Sequence, residues 1–178
     1  MENKVFYSYC LNPKIKFETY EPGEKITLLL RAHPFTQLPW VIYSLFSLIL
    51  IFVVNIMIGS FFNISQLFLI NCFMASFLLS FIWFNFLNWY FNVGIVTSRR
   101  VVDIDFYAVL YKEITVARFD RIQDITVKSG GYFEAFFNYG TVFVQTAGTE
   151  ANVEFADVPR PAEVIQSIEK LTTKKHGA

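Results

Sequence analysis

The stretch LPWVIYSLFSLILIFVVNIMIGSFFNISQLFLINCFMASFLLSFIWFNFLNWYF, residues 38–91, decides the fold. It is the centre of a longer run: between Arg31 and Arg99 there is no Asp, Glu, Lys or Arg. A bilayer core about 30 Å thick takes roughly 20 apolar residues per helix, so the run is too long for one span and fits two. Leu38 to Ile58 is the first and Leu67 to Phe91 the second, with Gly59-Ser60-Phe61-Phe62-Asn63-Ile64-Ser65-Gln66 as the turn between them. The expected element is a transmembrane helical hairpin.

On either side of the run the charges return, and the parse is a segment over 1–37, the hairpin over 38–91 and a small domain over 92–178. About 37 mostly polar residues precede the apolar block, which does not fit a cleaved signal peptide. Lys4, Lys14, Lys16, Lys25 and Arg31 precede the spans, Arg99 and Arg100 follow them, and the turn carries no basic residue. The bias of Lys and Arg toward the cytoplasmic side then puts both termini in the cytoplasm. Trp40 and Tyr43 at the start, with Trp89 and Tyr90 at the end, sit where one interfacial aromatic belt is expected. Asn63-Ile64-Ser65 matches a glycosylation sequon too close to the bilayer to carry weight.

Within the spans, Ser47, Asn55 and Gly59 share a face of the first helix, and Cys72, Ser76 and Ser80 recur every four residues along the second. Small and polar side chains at that spacing either pack the hairpin on itself, their ordinary use, or offer a face to another membrane subunit. Asn85, Asn88 and Asn92 approach the cytoplasmic end, where water and headgroups can satisfy their amides. Ion and proton pathways mark themselves with ionisable groups, and the spans hold none, which argues against a pump or transporter. Cys10 and Cys72 are too far apart in kind and place to pair, and they make no metal motif with His33 or His176.

Before the hairpin, the turn cluster Tyr20-Glu21-Pro22-Gly23-Glu24 leads into an extended stretch from Lys25 to Ala32, and His33-Pro34 breaks it. His33 reads as an interfacial histidine. After the hairpin the texture changes to short runs rich in Val, Ile, Thr, Tyr and Phe, the pattern of a compact antiparallel β domain. Candidate strands are Asn92 to Thr97, Val101 to Phe106, Tyr111 to Arg118, Ile122 to Lys128, Thr141 to Thr146 and Asn152 to Phe155, with turns at Ser98-Arg99-Arg100, Asn138-Tyr139-Gly140 and Ala147-Gly148-Thr149. Pro159-Arg160-Pro161 closes the strands. Ala162 to Thr173 then carries Val164, Ile165, Ile168 and Leu171 at helical spacing, a stripe fit to plug the open end of a barrel. Lys174 to Ala178 is expected to fray.

The ordered set Val96-Thr97-Ser98-Arg99-Arg100-Val101-Val102, Lys112-Glu113-Ile114, Phe119-Asp120-Arg121-Ile122-Gln123-Asp124-Ile125, Asn138-Tyr139-Gly140-Thr141-Val142 and Phe155-Ala156-Asp157-Val158-Pro159 resembles the bacterial pleckstrin-homology (PH) family called YdbS-like. In that family a two-helix hairpin precedes the domain, and Pro22-Gly23-Glu24, Arg31 and His33-Pro34 resemble its usual approach to the first span. One departure is Tyr107-Ala108-Val109-Leu110, which stands where the family commonly has a short glycine-containing turn. The resemblance implies an all-β pleckstrin-homology-like barrel capped by a C-terminal helix, and no enzymatic activity.

The residues themselves supply no Gly-rich phosphate loop, no Ser-His-Asp order and no Cys-His pair, so a non-enzyme without cofactor or metal is expected. Asp103 and Asp105 alternate on one strand with Glu113 opposite, which reads as an ordinary solvated strand face rather than a cation site. Arg99 and Arg100, in a turn expected to be the one nearest the bilayer, are candidates for anionic headgroups, although two arginines flanking a span are what the charge bias already demands. From Arg99 onward ten basic residues stand against eleven acidic ones, so no basic face and no nucleic-acid partner is expected. Tyr132, Phe133, Phe136, Phe137 and Tyr139 crowd one loop or short helix, and they need cover from the barrel, the membrane surface, or a partner or second copy. The expectation is a multi-pass protein of the bacterial inner membrane acting as a scaffold or assembly module, as a homo-oligomer or with another membrane protein. The alternatives are a lipid-headgroup sensor, and an accessory role in envelope stress or antimicrobial tolerance that the family resemblance permits.

Overall fold

The computed structural model describes residues 7–13, 21–107, 111–147 and 152–176. The expectations attached to Lys4, Lys14, Lys16 and Tyr20, to Ala108-Val109-Leu110, to Gly148-Thr149 and to Gly177-Ala178 lie outside these residues. The apolar run forms two helices, α1 (Leu38–Ile58) and α2 (Ile64–Phe91), both long and apolar enough to cross a membrane. At 1.5 Å per residue they extend about 31 and 42 Å. α2 starts three residues earlier than its hydropathy indicates. The reason is local: the backbone N–H of Asn63 donates to Gln66 Oε1 at 3.0 Å, a capping interaction that draws Ile64, Ser65 and Gln66 into the helix.

The strands follow as β1 (Tyr9–Leu11), β2 (Ile26–Leu30), β3 (Val93–Thr97), β4 (Arg100–Tyr107), β5 (Tyr111–Arg118), β6 (Ile122–Lys128), β7 (Tyr139–Thr146) and β8 (Val153–Pro159). A short helix α3 (Tyr132–Phe137) joins β6 to β7, and α4 (Pro161–His176) ends the described chain, so Lys174 to His176 continue the helix rather than fray. Among the described residues all pairings are antiparallel. They make two sheets, β1-β2-β3-β4-β5 and β6-β7-β8, so the barrel expectation gives way to a two-sheet sandwich. The one-turn helix Phe119–Arg121 separates the sheets by replacing strand pairing between β5 and β6.

The division at residues 37 and 92 also changes. The segment before the hairpin is part of the β domain, because β2 pairs with β3 (Leu30 opposite Gly94, Ile26 opposite Thr97) and β1 adds on its far side. The chain thus builds an edge of its sheet first, leaves through the hairpin, and returns to complete it.

The core lies between the sheets, where Leu28, Leu30, Val96, Val101, Phe119, Val142, Val144 and Phe155 are buried, with Val164 and Ile168 of α4 closing one side. Alternation along β3 and β4 turns Ile95, Val102 and Ile104 to the opposite face, where they form a second cluster with Ile26. A register irregularity between Ile26 and Leu28 is what allows these two residues of one strand to serve different faces. Gly94 faces inward. A Cβ there would stand 2.4 Å from the Phe155 ring, so only glycine lets the two sheets approach at this point.

Candidate functional site

The functional geometry begins where hairpin and sandwich meet. Arg31, buried just after β2, donates from Nε to the Tyr90 carbonyl at 2.9 Å and lies over the Tyr90 ring at 4.7 Å. That carbonyl belongs to the last turn of α2, where backbone acceptors lack helical partners and the dipole favours a cation. Trp89 Nε1 donates to the Ala32 carbonyl at 2.9 Å, and the His33 N–H donates to the Asp157 carbonyl at 2.8 Å. His33 stacks on Tyr139 at 5.1 Å, and its Nδ1 accepts from the Phe35 N–H, so its place is structural. Burial pushes its pKa down, favouring the neutral ring. At the other chain crossing, α2 ends at Phe91 and β3 starts at Val93, while Asn92 Oδ1 accepts from the Phe106 N–H at 2.7 Å. Two short crossings, both hydrogen-bonded, mount the domain on the helices without a free linker.

The Arg99 and Arg100 turn lies elsewhere. β3 runs away from α2, and the six residues from Val93 to Ser98 at about 3.3 Å each put Ser98 about 20 Å from the helix end. The turn is therefore at the end of the sheet remote from the helices, not nearest to them. The Ser98 N–H donates to the Lys25 carbonyl, which fixes the turn against the chain entering β2. Arg100 is committed: Nε and a terminal nitrogen reach the two oxygens of Glu24 at 3.0 and 3.1 Å, and Glu21 lies 3.4 Å away. Burial alone would raise the Glu24 carboxyl, but hydrogen bonds from Arg100 and Thr97 outweigh it and hold it below the usual range. Arg99 is more exposed and lies 3.5 Å from Glu21. The arginine pair closes the sheet's far end.

The aromatic cluster divides. Tyr139 is only 8% exposed and belongs to the domain, packed against His33, which removes it from any interface. Phe137 stacks on Phe35 at 4.1 Å, and Phe133 lies 5.6 Å from the same ring. Phe35 belongs to the one-turn helix Pro34–Gln37 that leads directly into α1. Tyr132 and Phe136 stay 94% and 82% exposed. Glu134, on the other side of α3, accepts from the Gly130 N–H.

In the hairpin, one of the expected packing residues has a polar partner across the seam. Asn55 and Asn71 exchange amide hydrogen bonds at 2.8 and 2.7 Å, and Ser44 and Leu78 are buried between the helices. Ser47 bonds back to the Tyr43 carbonyl and lines the apolar cleft between α1 and α2. Gly59 caps the end of α1 and is exposed. Cys72, Ser76 and Ser80 face outward, and both serines bond back along their own helix, to Cys72 and Ser76 carbonyls. Their stripe therefore does not pack the hairpin on itself. Asn71, one residue away, does, and the four-residue spacing that singled out the stripe missed it. Asn85 likewise bonds back, to the Phe81 carbonyl. Cys10 is a buried free thiol and Cys72 an exposed one.

The acidic strand is not a solvated face. Asp105 does stand opposite Glu113 and Asp103 opposite Thr115, but Asp103 is 7% exposed and points to the inter-sheet side with Val101. With Arg31, Asn92, Asp105 and Glu154 it lines a cavity of about 90 Å³ beneath the end of α2. Burial, then the charge of Asp105, pushes the Asp103 carboxyl up to about 8. Burial and the Glu113 and Glu154 charges raise Asp105 as well. Among the described residues no group of three or more His, Cys, Asp or Glu converges as a metal cradle.

Comparison with known proteins adds one family. The profile of the bacterial PH domain family matches residues 34–172, taking in the hairpin, β3 to β8 and most of α4. A solved structure, that of a DUF1696 family protein with a pleckstrin-homology domain from Shewanella loihica PV-4, is similar at a TM-score of 0.34 and 15% identity, covering 47% of this chain and 68% of that one. No curated protein matches.

Proposed function

The chain belongs to the bacterial PH domain family, and from that membership we propose a membrane-anchored, non-catalytic scaffold or assembly module of the inner membrane, of the YdbS-like kind. Two observations support the anchor. Large apolar side chains along both helices, Phe46, Phe52, Phe73 and Phe77 among them, are exposed, and such a continuous surface requires lipid or protein cover. A core helix of a soluble domain would instead be largely buried; these helices are not. Charge bias then sets both termini, and the β domain with them, in the cytoplasm.

The observation that carries the scaffold reading is the rigid mount: Arg31 on the Tyr90 carbonyl, Trp89 on the Ala32 carbonyl, and no slack between α2 and β3. A domain meant to search for a soluble ligand gains from a flexible tether. A domain fixed in height and orientation suits the alignment of subunits in one membrane plane. The partner is a second copy or another membrane protein.

Purification of the tagged full-length protein from its native membrane in mild detergent, followed by mass and composition analysis, tests this. A stoichiometric protein companion or a defined homo-oligomer is expected. A strictly monomeric mass with one lipid class enriched contradicts the scaffold and favours a lipid sensor.

A further inference from the structure

The exposed aromatic face of α3 is placed with respect to the helices by the protein itself. Tyr132, Phe133, Phe136 and Phe137 occupy positions i, i+1, i+4 and i+5, one side of a helical turn, and Glu134 is drawn to the other side by the Gly130 N–H. Phe35 stacks on Phe137 three residues before α1 begins, so the α3 rings continue the apolar surface of α1 at its starting level. A second element independently presents rings at the same end. β4 overshoots the start of β3, Phe106 touches Phe91 at the end of α2, and Tyr107 and Tyr111 follow with their rings 6.1 Å apart and more than half exposed.

We infer that α3, keyed to α1 through Phe35, inserts Tyr132, Phe133 and Phe136 into the interfacial zone of the same bilayer that the hairpin spans, as a third membrane contact of the domain. Rings of about 150–250 Å² each that are left in water have no cover, whereas the headgroup boundary accepts an apolar body with a polar edge. Near that end Asp105 and Glu113 outnumber Lys112, which lies over the Phe106 ring, so ring burial rather than charge attraction holds the contact, and it is insensitive to anionic lipid content. The inference rests on the spanning reading of the hairpin.

Full-length protein with Cys10→Ala and Cys72→Ser, carrying one cysteine labelled with an environment-sensitive fluorophore, is reconstituted into phosphatidylcholine vesicles with and without phosphatidylglycerol. The label sits at Phe136→Cys, at Phe77→Cys in the exposed middle of α2, or at Arg118→Cys at the sheet's far end. Lipids brominated near the headgroup are expected to quench position 136 at least about twofold more than position 118, equally in both vesicles, as befits an interfacial ring. Apolar-environment emission at 77 together with water-like behaviour at 136 overturns the inference and leaves the hairpin reading standing. Water-like behaviour at 77 overturns the hairpin reading itself. Protection of 136 that varies with the protein-to-lipid ratio assigns the face to a second copy and overturns the lipid contact.

Discussion

The two ends of the β sandwich differ in what holds them and in what they offer. The far end is polar and closed on itself: Glu24, with a fully buried side chain, binds Arg100, and Glu21 bridges toward Arg99. The helix end is aromatic and open, with Arg31 sealed against α2 and the rings of α3 and of the β4–β5 end exposed around it. Distance along the chain misleads here. Arg99 follows α2 by only eight residues, yet β3 carries it away from the helices, while Phe133 and Phe137, some forty residues later, return to Phe35 at the start of α1.

The largest test of this contrast is at the far end. Glu24→Ala strips the half-buried Arg100 of its bidentate partner, leaving it Glu21, and is expected to cost about 3 kcal/mol of stability, while Arg99→Gln costs about 0–1 kcal/mol because its pair is exposed. Thermal unfolding in detergent measures both. Equal effects would mean that the two arginines are equivalent and the far end is not closed as described. Near the helix end, Gly94→Val drives a side chain into the Phe155 ring, and a loss of about 3 kcal/mol is expected, with Arg31 and the hairpin untouched.

A smaller and pH-dependent effect separates the ends further. Asp103 has a folded-state pKa of about 8 against 3.8 for the free side chain, so folding takes up a proton between those values. Stability therefore falls as pH rises from about 4 to 8. Asp103→Asn should flatten that slope and raise the melting temperature at pH 8 by about 5 °C, an effect on the order of 1–2 kcal/mol for a chain of this size. An unchanged slope would place the Asp103 carboxyl in water. The smallest effect is in the hairpin, where Asn71→Leu removes the reciprocal amide pair with Asn55 and should cost about 1 kcal/mol.

Much of this architecture is legible in the residues because the signals are local. The charge-free run set α1 to its final bounds, and alternation of β-branched residues located every strand after the hairpin within a few positions. What remained hidden depends on long-range pairing. Nothing in Ile26 to Leu30 reveals that its partner is β3, sixty-odd residues later, so the head looked like a separate segment. The same gap concealed the remote position of the arginine turn, since a strand's direction relative to a helix is not written in its composition. Asp103 looked solvated because alternation with Asp105 is visible and the opposing sheet is not. Asn71 escaped because a single polar residue in a span becomes a packing residue only when its mate across the seam is known.

The most direct test of the central claim, a spanning hairpin that holds the sandwich on the cytoplasmic side, is labelling of single cysteines in intact cells with a membrane-impermeant maleimide. Ser65→Cys, in the first turn of α2, is expected to react from outside, and Arg99→Cys only after permeabilisation. Reaction at Arg99→Cys with silence at Ser65→Cys would invert the topology, and reaction at neither or both before permeabilisation would contradict the spanning hairpin.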